Sequence, residues 1–178
     1  MNFTAEPMTN VAAAEILNWR YPYPYDFYNN EMTEESLIEF LDGTYRAVRD
    51  ENRNLFGFYC TGKSAQVPAG RKVGAYPEGF IDFGLGMEPK ETGRGKGNAF
   101  FDFIRLEIHE LQPEKPLRLT VAAFNERAIH LYENFSFVKD KEFKTDFAKF
   151  QTMVADRNRT EPEKTPRLLT ITHLEEMK

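Results

Sequence analysis

Phe80-Ile81-Asp82-Phe83-Gly84-Leu85-Gly86-Met87-Glu88-Pro89-Lys90-Glu91-Thr92-Gly93-Arg94-Gly95-Lys96-Gly97-Asn98-Ala99 is the stretch that decides how this chain folds. An apolar, strand-like run leads into a turn in which Gly93, Gly95 and Gly97 alternate with Arg94 and Lys96. A helix-like run follows at once. A strand, a glycine-rich turn and a helix together present bare backbone N–H groups to an anion. Glycine permits close approach and unusual dihedrals, and the helix N-terminus adds partial positive charge. The segment reads as a phosphate cradle. The same residues would also suit a tight strand-to-helix connection with no ligand.

The rest of the chain sets the context. A length of 178 residues predicts a single domain over residues 1–155, with residues 156–178 as a polar C-terminal extension of unassigned role. Hydrophobic residues make up 41% and charged residues 29%, which is the composition of a globular protein. The net charge of −5 argues against a general nucleic-acid binder. No apolar run approaches the roughly 20 residues needed to cross a bilayer, and no signal peptide is evident. The single cysteine, Cys60, fits a cytoplasmic location. His109, His130 and His173 are scattered and no Cys/His pair has ligand spacing, so no metal site is expected.

Periodicity supplies the elements. Helices are expected over residues 11–19 and 34–41, the second capped by Thr33 and ended by Gly43. Residues 44–50 and 55–61 read as a hairpin, and the glycines and prolines of residues 62–79 as a long loop. Phe101, Ile104, Ile108 and Leu111 give residues 96–111 one apolar face. A strand over residues 117–124 leads through Asn125, an N-cap, to a helix reaching about residue 135. Residues 137–143 and 147–155 close the domain as an antiparallel pair. The fold class is α+β, layered α/β/α, with a mixed, mostly antiparallel central sheet and flanking helices.

Two lookalike motifs are rejected. Gly57 to Ser64 matches the phosphate-loop pattern G-x-x-x-x-G-K-S, but Lys63-Ser64 leads into Ala65-Gln66-Val67-Pro68 rather than a helix. Gly93, Gly95 and Gly97 recur every second residue, which is not dinucleotide spacing.

A second constellation lies at Asn125, Ala128 and Tyr132, followed by Ser136-Phe137. Asn125 and Tyr132 are two helical turns apart and share a face. Taken alone, this is equally a capped helix whose tyrosine packs in the core. Taken with the glycine turn, it resembles the GNAT superfamily of acetyl-CoA-dependent N-acetyltransferases. Their pattern is [Q/R]-x-x-G-x-[G/A], then N-x-x-A-x-x-x-Y and G-F. The resemblance covers about residues 80–138. Residues 94–99 fit the first motif literally. Residues 92–97 fit it with Thr92 at the Arg/Gln position, and this register keeps Pro89 three residues ahead of the motif. Ser136 stands where glycine is usual.

The resemblance implies an enzyme that moves acetyl from acetyl-CoA to a primary amine by direct attack, with no metal. The acceptor would be a small molecule or a protein, and a homodimer is left open. It implies cofactor contacts at Leu85, Met87, Thr92, Gly93, Arg94, Gly95, Lys96, Gly97, Asn98, Asn125 and Tyr132. Arg94 or Lys96 would make up for Thr92. Gly84 and Gly86 would allow a bulge. Tyr132 is expected as the acid that protonates the leaving thiolate, and Asp82 as the base. In Trp19-Arg20-Tyr21-Pro22-Tyr23-Pro24-Tyr25-Asp26-Phe27-Tyr28, the prolines predict an extended path. Trp19, Tyr21, Tyr25 and Tyr28 would then form an aromatic and acidic wall for a cationic amine, or else a cover packed on the sheet. A catalytically inactive CoA-binding module is the alternative.

Overall fold

A computed structural model describes residues 2–155, and the expected C-terminal extension lies outside them. Seven strands form one sheet: β1 (Thr4–Pro7), β2 (Tyr45–Arg49), β3 (Leu55–Thr61), β4 (Ile81–Met87), β5 (Leu117–Ala122), β6 (Phe137–Lys144) and β7 (Lys149–Ala155). Their order is β1-β2-β3-β4-β5-β7-β6. All neighbours are antiparallel except β4 and β5. The five helices are α1 (Asn10–Leu17), α2 (Glu34–Phe40), α3 (Pro68–Lys72), α4 (Gly97–Leu111) and α5 (Glu126–Asn134).

Alternation along the strands divides the core in two. On one face, Phe100, Phe101, Ile104 and Ile108 of α4, with Tyr132 of α5, pack on Phe56, Tyr59, Phe83 and Leu119. On the other, Ala13, Ile16 and Leu17 of α1 and Phe40 of α2 pack on Tyr45, Ala47 and Cys60. Helix, sheet and helix form three layers, as expected. Leu111 does not join its helix's apolar face; it is 74% exposed at the C-terminal end of α4.

The sheet carries one parting. Parallel pairing of β4 with β5 runs only through Ile81↔Leu117 and Asp82↔Arg118. Beyond that, β4 stays paired to β3 as far as Met87, while β5 pairs with β7 on its other side. The second half of β4 therefore has one free edge, and the cleft opens there. Glu88 donates its N–H to the carbonyl of Phe56 at 2.9 Å, in the direction of β3. Backbone groups alternate along a strand, so those of Leu85 and Met87 face the gap.

Three local expectations change. The edge strand β1 was not legible: four residues ending in Pro7 carry too short an alternation. Pairing with β2 and the contact of Phe3 with Phe56 and Phe100 fix it in place. The long loop at 62–79 holds a 3-10 turn, Gly62–Ala65, and α3, which Pro68 opens from its first position. Gly84 and Gly86 make no bulge, because β3–β4 pairing is regular through both. A Cβ on Gly86 would run into the Phe58 ring, and one on Gly84 would lie 3.3 Å from Cys60 Sγ, so close packing requires these glycines.

Candidate active site

The parting of β4 and β5 opens into a cleft of about 670 Å³. Its floor is Phe83 to Met87 of β4 and Leu119 to Val121 of β5. One wall comes from the glycine turn, α4 and α5, and the other from residues 16–30 with Phe58.

The first wall is largely backbone. Gly93 and Gly95 have φ values of 74° and 73°, in the left-handed region that other residues adopt only at a cost. A Cβ at either would meet nothing within 4 Å, so the cradle opens onto free space. Gly97 starts the 15-residue α4, whose N-cap residue, Lys96, makes no side-chain cap. No acidic side chain stands in its first turn. The leading N–H groups of this helix are left for another acceptor, at the positive end of the helix dipole. The donor chemistry and the open space fit a phosphate group.

The side chains of the turn behave differently from expectation. Thr92 donates its hydroxyl to the Pro89 carbonyl at 2.8 Å, closing the small turn Pro89–Glu91. Lys96 pairs with Glu91. Arg94 is exposed and makes no ion pair among the described residues, so it is the cation of the turn left for a ligand. Thr92, Gly93, Gly95, Gly97 and Asn98 line the cleft, whereas Arg94 and Lys96 stand behind it.

Across the gap, α5 presents the second constellation. The Asn125 side chain accepts from Ala128 N–H at 3.2 Å, which caps the helix, and donates to Tyr28 Oη at 3.2 Å. Tyr132 lines the cleft while its ring packs on Phe101 at 5.1 Å. Both readings of this tyrosine hold at once: the ring belongs to the core and the residue to the cleft. Its hydroxyl has no hydrogen-bond partner among the described residues. Burial raises its pKa well above the ordinary phenol value, so it stays protonated. Ser136 has a φ of 62°, a conformation glycine adopts freely, which accounts for glycine in the usual pattern.

Asp82 is not placed to act as the base. It does not line the cleft, and its carboxylate is enclosed. Arg118 grips it as a fork, Nε to Oδ1 at 2.6 Å and Nη2 to Oδ2 at 2.9 Å. Gln66 adds a bond to Oδ2 at 2.7 Å. Arg118 also donates to the Pro77 carbonyl at 3.0 Å and lies 4.7 Å over the Phe80 ring. This buried pair rivets β4 to β5 just before they part.

Trp19, Tyr21, Tyr25 and Tyr28 do meet at the second wall, but not by an extended path. Residues Tyr25–Tyr28 form a 3-10 turn that also brings Phe27 in, 5.5 Å from Phe124. Tyr23 points away and is 87% exposed. Tyr21 donates its hydroxyl to the Met87 carbonyl at 2.8 Å, and burial raises its pKa. The wall is not acidic: among the described residues, no aspartate or glutamate lines the cleft. Arg127 was missed; its guanidinium stacks 4.3 Å over Tyr25. His130 and Asn134, three and seven residues on, also line the cleft, and that helical spacing was the available signal.

Comparison with known proteins follows the same outline. The aminoglycoside acetyltransferase AAC(6')-Ib in complex with coenzyme A superposes with a TM-score of 0.67 at 17% identity, over 88% of this chain and 96% of that one. A spermidine N-acetyltransferase SpeG chimera from Vibrio cholerae and hSSAT gives 0.62 at 19% identity, over 86% and 94%. The chain has the GNAT fold. A mycothiol acetyltransferase from Propionibacterium freudenreichii subsp. shermanii is 38% identical over 90 residues, 51% of this chain. That match spans 26% of the relative, so the chain covers about a quarter of its length. No family model matches the chain. Among the described residues, no helix is long and apolar enough to cross a membrane.

Proposed function

We propose that this chain transfers an acetyl group from acetyl-CoA to a primary amine by direct attack. The observation that carries the reading is the pair facing the cleft: an open glycine cradle at an uncapped helix N-terminus, and the unpartnered, protonated hydroxyl of Tyr132. The relatives are named as acetyltransferases, and one of them holds coenzyme A.

In this reading Gly93, Gly95, Gly97 and Asn98 hold the pyrophosphate, with Arg94 at its outer side. The free edge of β4 receives the pantetheine arm, and the N–H groups at Leu85 and Met87 face the thioester. Tyr21 occupies the Met87 carbonyl and ties the acceptor wall to that edge. The amine nitrogen forms a bond to the acetyl carbon, the C–S bond breaks, and the departing sulfur takes its proton from Tyr132. Asn125 holds the start of α5 and positions Tyr28. With Asp82 engaged by Arg118, the amine loses its proton to cleft water rather than to a carboxylate.

Cys60 supports attack without an acyl-enzyme. It is buried on β3 opposite Gly84 of β4, and burial pushes its thiol up to about 12, so the thiolate is scarce. The partnerless tyrosine in the cleft favours catalysis over the inactive-module alternative. The experiment is release of free CoA thiol over a panel of primary amines. Amine-dependent release is expected; acetyl-CoA binding without release for any amine would leave the binding module as the better reading.

A further inference from the structure

We propose that the acceptor is a single amine carried on an aromatic or branched apolar body, and that polycationic amines are selected against. The inference rests on the acetyl-transfer reading and concerns the same cleft. Its acceptor wall is aromatic, built from Trp19, Tyr25, Phe27 and Phe58. No carboxylate lines the cleft among the described residues. The nearby ones face elsewhere. Asp26 lies on the exposed side of its 3-10 turn, Glu39 accepts the Tyr45 hydroxyl at 3.0 Å, and Glu88 sits 3.7 Å from Lys90.

The fixed charge on this wall is positive. Arg127 covers the face of Tyr25, and its charge acts on Tyr21 more strongly than the opposing charge of Glu88 does. A polyamine would bring further ammonium groups into the cleft with no anion to meet them and with a guanidinium in place. Burying such a charge unpaired is strongly unfavourable, and ring faces offset only part of the cost. An apolar body removes its own surface from water against the same rings, and an aromatic one adds ring contacts.

Trp19 is the chain's single tryptophan and lines the wall, so its fluorescence reports occupancy directly. The protein, with and without saturating CoA, is titrated with phenethylamine, 3-methylbutylamine and spermidine, and thiol release is measured for each. Both apolar amines are expected to bind about 30-fold more tightly than spermidine, with kcat/KM in the same order. Asn30→Asp, which adds a carboxylate at the cleft, is expected to shrink that ratio about tenfold. Equal or tighter binding of spermidine overturns the proposal, as does silence of Trp19 toward both apolar amines at millimolar concentration, or an unchanged ratio in Asn30→Asp. Failure of the acetyl-transfer reading appears separately, as absence of thiol release with every amine, while the titration without CoA still ranks the amines.

Discussion

The two walls of the cleft are made of different material. The donor wall is backbone: two left-handed glycines, the leading amides of α4, and the free edge of β4. The acceptor wall is side chain: rings from residues 19–28 and Phe58, with Arg127 stacked among them and Phe124 packed against Phe27. The first is preorganised by local dihedrals and a helix dipole, and it holds its shape whatever the neighbouring side chains are. The second exists only after α1, the 3-10 turn at Tyr25–Tyr28 and the start of α5 have assembled. A wall of the first kind recognises one constant group. A wall of the second kind can vary with the acceptor while the cradle stays the same.

The seam between them gives the largest test. Breaking a buried ion pair from one side costs about 3–5 kcal/mol. Asp82→Asn is therefore expected to lower the urea midpoint sharply, while kcat/KM in the remaining folded enzyme still rises with pH toward the pKa of the amine. A new dependence on a lost base, with stability unchanged, would return Asp82 to the chemistry.

Tyr132→Phe is next. It keeps the ring on Phe101 and removes the unpartnered hydroxyl, so kcat is expected to fall about 100-fold with acetyl-CoA affinity within about twofold. Equal kcat would end its role as acid. On the donor wall, Gly95→Ala forces a Cβ into a left-handed conformation, a strain of roughly 1–2 kcal/mol. The turn is expected to shift and raise the acetyl-CoA KM about tenfold, leaving the amine KM unchanged. On the acceptor wall, Tyr25→Ala removes one ring and the seat of Arg127. The amine KM is expected to rise about fivefold with the acetyl-CoA KM unchanged, an effect of the size expected for one aromatic contact. If both substitutions moved both constants, the two walls would not be separate.

Legibility in the sequence followed the same division. The glycine turn, α4, the Asn125 cap and Tyr132 were readable because each rests on spacing within one segment. The aromatic wall was readable as composition but not as shape: the prolines suggested an extended path, and Phe27 was left out of the wall although it lies in the same run. The Asp82–Arg118 pair was not legible because nothing near either residue in sequence shows that the two lie opposite each other, 36 residues apart. Arg127 was missed because a charge on an N-terminal helical turn has an ordinary solvated reading until Tyr25 is brought beneath it.

The most direct measurement compares the melting temperature in acetyl-CoA with that in acetyl-pantetheine, which lacks the pyrophosphate and nucleotide. At about 100 times its dissociation constant, acetyl-CoA stabilises by about 2.7 kcal/mol, or a shift of roughly 5–10 °C for a chain of this size. The expected result is that shift for acetyl-CoA, little or none for acetyl-pantetheine at equal concentration, and a reduced shift in Gly95→Ala. Equal shifts for the two thioesters, or none for either, would contradict a phosphate cradle at Gly93–Gly97.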